Sequence, residues 1–508
     1  MKSKMKFGII LCLVFLISNT YSQHVNIELS KIAGNKSYGT HYVGTDASGN
    51  IYTQSRRIHF GKMSLWGKSL TNRGQGIIKE VNLDKLSNTP RDHTFLQLIT
   101  EGPNPILVFI NELSNELVAY RTNTKFELLG SPFVIGDNNE CGMFYYDKRQ
   151  TGQRTYLTAE SCVISDTIRL RRVTVNDQNN IYFDYRFTLP VEGGVRNLTL
   201  VETNQNVLIA FENRSIYAES YVFELDNYGR QKQVEIPMER QTLEPADIEI
   251  DKSGDEIVLS GQLRNIKSKS LKGLFRANYD NQTGRVSGIS YYYFEQEAID
   301  KYTQRDALHL PHPNGEVIEE NEEFSIVDRV LTSDAGIIYF IQRKTSQLVR
   351  NVQILSDGPV YYLSFVFHYS DLVVVKIDAH NSSMWMTNIP LYQGFKDGDP
   401  GSSVKINYKD GKVYILHTGN KEMLLAINTQ SDFNITANRS TMNSNLIMTT
   451  ISRNGTPNAN QLLDLREENF IFNPSRVGVD YVNNYFLLFA TQRRIFGKNK
   501  LKVYSVSF

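Results

Sequence analysis

The chain is short of the residues that most often announce a chemistry. Only three cysteines and nine histidines occur in 508 residues, so a cysteine-rich zinc module or a dense disulfide scaffold is excluded. Proline is sparse, at 14 residues, and no Ser/Gly/Pro-rich stretch marks a linker between domains. Charge of one sign is missing as well. Lys and Arg total 55 against 54 Asp and Glu, mixed along the chain without a basic stripe, which excludes the electrostatic footprint of a nucleic-acid partner. There is no G-x-S-x-G elbow, no H-E-x-x-H and no Gly-rich phosphate loop. TSDAGIIYF (332–340) approaches the Asp-box of sialidases but lacks its S-x-D-x-G-x-T-W order. Long apolar runs are absent too: no stretch reaches the roughly 18 to 20 residues of a spanning helix.

The longest early run, Phe7 to Ile17, follows Lys2, Lys4 and Lys6 and leads into the polar SNTYSQ. This is the layout of a secretory signal peptide over residues 1–22, with cleavage after Ser22. Cys12 lies inside the run behind Leu11, which does not suit a lipid-attachment site. Loss of the three leader lysines takes the formal charge from +1 to −2 (+1 − 3). Residues 23–508 then form an exported chain, periplasmic or extracellular. Its two cysteines, Cys141 and Cys162, are candidates for a disulfide in an oxidising compartment; the alternative is two separate buried thiols.

What is abundant is the aromatic and β-branched strand: Tyr and Phe number 28 and 26. TDASGNIYT (45–53), ETNQNVLIAF (202–211), IDKSGDEIVLSG (250–261), TSDAGIIYF (332–340), NYKDGKVYIL (407–416) and DYVNNYFLLF (480–489) each set polar turn residues just before an apolar strand. Asp, Asn and Gly fill such turns because they accept the backbone angles of tight hairpins. VFELDNYGR (222–230), RANYDNQTGR (276–285) and VVKIDAHNS (374–382) supply a second, alternating class of turn. With GPNPILVF (102–109) and MFYYDKRQTGQRTYLT (143–158) there are about eight units. Four short strands per unit is the spacing of a propeller blade. The expectation is an all-β fold, one seven- or eight-bladed β-propeller over 23–508. YYYFEQEAIDKYTQRDALHL (291–310), rich in helix formers and stopped by PHPNG, predicts one inserted helix.

From about residue 324 onward the sequence resembles secreted propeller-like proteins of Bacteroidetes bacteria. The resemblance rests on SIVDRVLTSDAGIIYFIQ, on GPVYYLSFVFHYSDLVVVKIDAHNSSMWMTNIPLYQ and on KDGKVYILHTGN. In that pattern a tyrosine-rich strand leads into D-(I/L)-V-V-V-K, a turn, a Trp and I-P-x-x-Q, matched by Asp371 to Lys376, Trp385 and Ile389 to Gln393. The chain departs from it at AHNSS, where a Gly-containing turn is usual, and at IQRK, where an acidic residue often follows. The family carries no activity to transfer; the resemblance implies fold and export only. The leader ending in YSQ suits the same group.

Candidate sites are few, and each has a plainer reading. His309 and His312, with Glu319, Glu320, Glu322 and Glu323 close behind, would suit zinc, although the flanking prolines favour a solvated loop. Asp397 and Asp399, with Ser402, form an oxygen-rich loop that calcium would accept, without the full EF-hand spacing. Otherwise no cofactor is expected. Trp66 and Trp385 are platforms for stacking on a sugar ring, or aromatic bodies filling the wedge between sheets. Asp46, Asp251 and Asp334 occupy equivalent turns, which argues for turn-making. Asp166-Thr167-Ile168 matches a short O-glycosylation motif. The expected function is a non-catalytic module that binds a protein or glycan partner; the alternative is a glycan-processing enzyme whose carboxylates converge on the propeller axis.

Overall fold

A computed structural model describes residues 27–508 except 33–37, 47, 60–61, 72–75, 87–88, 91, 101–103, 138–142, 151–152, 162–167, 177–180, 190–194, 204–205, 214–218, 227–229, 254, 295–315, 356–357, 380–383, 392, 397–402, 431–444, 466–476, 481–483 and 493–499. The described chain is all-β, in eight antiparallel sheets. Seven follow one another along the sequence, spanning 38–82, 93–137, 143–189, 195–233, 243–293, 316–396 and 405–464; each adds its strands in chain order from one edge to the other, except that in the sixth the last strand, Gln393–Lys396, pairs back on Gly358–Ile377. The eighth joins the two ends of the chain. Val477–Asp480, Tyr485–Gln492 and Lys500–Ser507 pair in that order, and Ile27–Ile32 adds the last strand beside Lys500–Ser507.

Strand alternation explains why no sheet stands alone. Successive side chains point to opposite faces, and in the middle strands both faces are apolar. In Gly358–Ile377, Leu372 and Val374 pack with Ile406, Val413 and Ile415 of the seventh sheet. Val373, Val375 and Ile377 pack with Val258, Leu271 and Leu274 of the fifth. All five are at most 2 % exposed, as expected of a strand buried on both faces.

The same packing joins the first sheet to the second, the second to the third, the fourth to the fifth and the seventh to the eighth. Met143–Gln150 and Gln153–Ser161 of the third sheet lie against Val195–Glu202 of the fourth. Leu487, Phe489 and Val503 of the eighth sheet pack with Ile51 and Leu70 of the first.

The helix expected over 291–310 is corrected at its start. Tyr291–Tyr293 end the strand Arg285–Tyr293; residues 295–315 lie outside the described residues. The reason is a two-residue period. Tyr291 stacks on Tyr293, and Tyr292 meets Phe294 edge-on, so alternate rings pair on opposite faces. The α-helix that is described, Lys421–Thr429, was not expected from the sequence, though its signals are present. Asn420 Oδ1 caps it by accepting from Met423 N at 2.8 Å, and Met423, Ala426 and Ile427 are its buried residues.

Candidate functional site

The first strands of successive sheets repeat a distortion. In the first, second, fourth, fifth and sixth sheets the register of that strand against its neighbour slips, between Tyr38 and His41, Phe95 and Gln97, Arg196 and Thr199, Ala246 and Glu249, and Ile326 and Asp328, with a further slip in the first and sixth. A bulge bends a strand and re-aims the side chains beside it. In Leu243–Ser253 the bulge includes Asp247, at φ 49°. Beyond it the alternation ADIEID turns Ile248 and Ile250 into the core with the fourth sheet. Glu249 and Asp251 then take the opposite face, because odd and even positions part.

Four residues fall on matching rungs. Thr199 faces Ala210, Glu249 faces Ser260, Asp328 faces Phe340 and Lys405 faces Leu416. Each lies two residues before the rung whose second-strand member, Leu208, Val258, Ile338 or Tyr414, packs towards the next sheet. The sheets therefore set a threonine, two carboxylates and an ammonium side by side.

Arg329 ties this row together. Its Nη2 meets Asp247 Oδ2 at 2.8 Å and its Nε meets Glu249 Oε2 at 3.0 Å. Nη1 donates to the carbonyls of Asp247 and Ser260 at 2.8 and 3.1 Å. Its side chain is 4 % exposed. Burial works against its charge, and Glu249 followed by Asp247 more than restores it, so its pKa stands above the ordinary value.

Glu249 differs from its neighbours. Burial lifts its pKa to about 7 despite the pull of Arg329, and Asp247, Asp251 and Asp328 add to the rise. Yet 36 % of its side chain remains open to solvent. The carboxyl is crowded by protein and still reached by water. Asp328 is solvent-exposed, yet desolvation by the protein around it raises its pKa too, against the Arg329 backbone N–H, which donates to its Oδ1 at 2.8 Å, and against Lys405. Burial lowers Lys405, partly offset by Asp328. Titrating carboxyls, a cation and open solvent together are what acid-base chemistry requires. Glu249, Asp328, Arg329 and Lys405 were missed in the sequence. The available signal was DIEID, whose acids at every second position predict three carboxylates on one strand face.

Trp385 lies elsewhere, between the sixth and seventh sheets. Its ring rests on Gly455, where an added Cβ would come within 2.8 Å of Trp385 Cδ2, and its Nε1 donates to the Arg453 carbonyl at 3.0 Å. It packs on the core shared by those sheets and also lines a cavity of about 350 Å³ with Asn388, Gln430 and Asn454. Trp66 is half-buried in Lys62–Leu70, its Nε1 donating to Ser64 Oγ at 3.0 Å.

Asp46 makes a turn: its carboxylate accepts from the N–H groups of Ser48 and Asn50 and from the Tyr52 hydroxyl. Asp334 accepts from Thr332 and from Lys376 Nζ at 2.9 Å. Burial would raise its pKa, but these donors hold it down to about 2. His309, His312, Asp397, Asp399, Ser402, Cys141, Cys162, Asp166 and Thr167 lie outside the described residues. Among the described ones no three His, Cys, Asp or Glu side chains gather to hold a metal ion, and no helix is long and apolar enough to cross a membrane.

No family model and no curated protein matches the chain. Solved structures match the chain only loosely. The phage phi92 endosialidase is 10% identical, over 97% of this chain and 72% of its own, at a TM-score of 0.29. The polysaccharide lyase Uly1 is 8% identical over 94% and 99%, at 0.38. The α-L-arabinofuranosidase PaAbf62A of Podospora anserina is 11% identical over 46% and 87%, at 0.25. At those scores and identities the likeness assigns neither activity nor substrate.

Proposed function

We propose that the chain is an exported, closed eight-bladed propeller that acts on a glycan at its axis. Ring closure is supported by the end-joining eighth sheet and by its packing on the first. In a closed ring the first strands face the axis, and the row from Thr199 to Lys405 lines its wall. The single observation that carries the reading is the pair of carboxylates on one buried guanidinium, one of which titrates near neutrality. Oxygens sharing one guanidinium cannot stand farther apart than the roughly 9.5 Å of an inverting glycosidase pair. Glu249, protonated in part at neutral pH, donates to the glycosidic oxygen. Asp247, salt-bridged to Arg329, takes a proton from the water whose oxygen bonds to the anomeric carbon as the glycosidic C–O bond breaks.

The test is release of reducing ends from a panel of acidic and neutral polysaccharides. Glu249→Gln should lose release by about 10²-fold or more, the scale of a general acid, with an unchanged melting profile. Release equal to wild type in that variant overturns the assignment. A second reading, a glycan-binding module without turnover, is favoured by the Trp385 cavity with its amide side chains. Binding by the wild type without release, lost in Trp385→Ala and kept in Glu249→Gln, would select it.

A further inference from the structure

The sixth sheet carries an arm that the others lack. Its first three strands, Glu316–Leu331, Ile337–Leu355 and Gly358–Ile377, run 16, 19 and 20 residues, against at most 11 elsewhere among the described strands. The inner portions, Ile337 to Gln342 opposite Leu372 to Ile377, belong to the core. The outer portions continue pairing out to Leu355↔Gly358 and Glu316↔Arg350.

That extension gathers much of the exposed apolar surface. Tyr361 is 63 % exposed, Leu363 58 % and Phe365 53 %, three residues at alternate positions on one face, with Val352 opposite Tyr361 in the ladder and 53 % exposed. Phe365 stacks on Phe367, prolonging the ridge. Side chains of this kind cover about 150–250 Å² each when fully buried. Isolated monomers seldom leave a contiguous patch beyond a few hundred Å² uncovered.

The two edges of the arm differ. One is the strand whose sequence reads EVIEENEEF from Glu316, with five glutamates; charge on an edge discourages pairing with another copy. The other, Gly358–Phe365, reads GPVYYLSF and has no charge. Among the described residues no strand lies along its outer side, since Trp385–Ile389 and Gln393–Lys396 pair only with Leu372 to Lys376 and Val366 to Tyr369. An uncharged strand meets its own antiparallel copy without repulsion, and a two-fold axis makes the contact self-complementary.

We propose that the edge Gly358–Phe365 pairs antiparallel with the same edge of a second copy, joining two arms into one continuous sheet across a two-fold axis. Main-chain hydrogen bonds set the register, and the Tyr361, Leu363 and Phe365 ridges of both copies cover each other.

The test is the mass of the full mature chain by light scattering and sedimentation over a range of concentrations. A dimer is expected, its dissociation constant raised at least tenfold by Leu363→Lys, which sets like charges near the axis. Val317→Lys on the glutamate edge should leave it unchanged, and both variants should melt near wild type. A wild type that stays monomeric at the highest concentration overturns the proposal, as does a dimer indifferent to Leu363→Lys or one broken equally by Val317→Lys. Monomers that instead bind neutral lipid vesicles through Leu363 also overturn it.

Discussion

At the scale of single residues, two large side chains, one half-buried and one fully buried, show packing and polarity pulling apart. Trp385 sits on Gly455, whose φ of 84° already favours glycine. Removal of a buried large aromatic costs about 3–5 kcal/mol; Trp385 is only half-buried, so Trp385→Ala should fall at or below the lower end. Gly455→Ala should also destabilise, through both its clash and its φ. Because the clash partner is Trp385, the double variant should cost less than the sum of the singles, measured by urea unfolding. Additive losses would mean that the ring and the glycine do not meet. Arg276 presents the opposite case. It is fully buried, its Nε donates to the Ala335 carbonyl at 3.0 Å, and Nη1 and Nη2 find no hydrogen-bond partner among the described residues. Burial lowers its pKa. Buried ionic groups are often replaced by apolar ones of similar volume at no cost or with a gain of about 1–4 kcal/mol. Arg276→Met should therefore leave the unfolding midpoint unchanged or raise it; a clear fall would show that the guanidinium holds a ligand or solvent that the bare side chain does not reveal.

Single strands and turns were the most legible elements of the sequence, and their long-range partners the least. The apolar, β-branched run Leu372 to Ile377 reads as a strand buried on both faces because only Lys376 interrupts it, and that side chain is paired with Asp334. The residues around it in the resembling pattern also have structural roles. Asp371 accepts from Asn388 Nδ2 and Leu391 N, and Gln393 Nε2 donates to the Thr418 carbonyl in the seventh sheet. The row Glu249, Asp328 and Lys405 stayed hidden because it is assembled from three sheets, and one sequence without register cannot align their rungs. Tyr291–Tyr293 was misread because aromatic pairing at every second position outweighed the helix formers that follow.

The seventh sheet adds a titration that opposes that of Glu249. His417 is buried, its Nδ1–H donating to the Thr418 carbonyl and its Nε2 accepting from Thr449 Oγ1 at 2.8 Å; burial lowers its pKa to about 4. The unfolded His binds a proton that the folded one refuses. Its contribution is present above about 6.5 and is lost as pH falls towards 4. Glu249 runs the other way. Its folded pKa is raised, so its contribution is complete below about 4.5 and is lost as pH rises through 7. Between about 4.5 and 6.5 the two slopes oppose each other in the wild type, the Glu249 slope reduced by solvent screening of its part-exposed carboxyl. Glu249→Gln should expose the histidine slope, up to about 1.4 kcal/mol per pH unit, with stability falling on acidification. His417→Gln should leave stability rising on acidification. Chemical unfolding at half-unit steps from pH 4.5 to 7 measures both, and identical profiles for the two variants would refute the opposition.

At the scale of the whole molecule, the decisive contact is the one between the last sheet and the first, since every other pair of packed sheets is also adjacent in sequence. Its tightest point is Gly478 beneath Tyr42. A Cβ on Gly478 would stand 2.2 Å from Tyr42 Cγ, and the Tyr42 hydroxyl donates to the Val479 carbonyl at 3.1 Å. The ring of Tyr42 also stacks on Phe489. Gly478→Val cannot be absorbed by a flexible side-chain end, because the clash is with the middle of an aromatic ring. Overpacking typically costs about 1–3 kcal/mol, and here it also displaces the hydroxyl from its acceptor. Gly394 is the control, since a Cβ there would meet His368 Nδ1 at an ordinary 3.6 Å. In a closed ring each sheet is held from both sides, so loss of one seam weakens all of them together. Calorimetry should then show one cooperative transition in the wild type, moved down by several degrees in Gly478→Val and unmoved in Gly394→Ala. If Gly478→Val instead melts like wild type, or loses only a small separate transition while the main one stays in place, the eighth sheet does not close the ring.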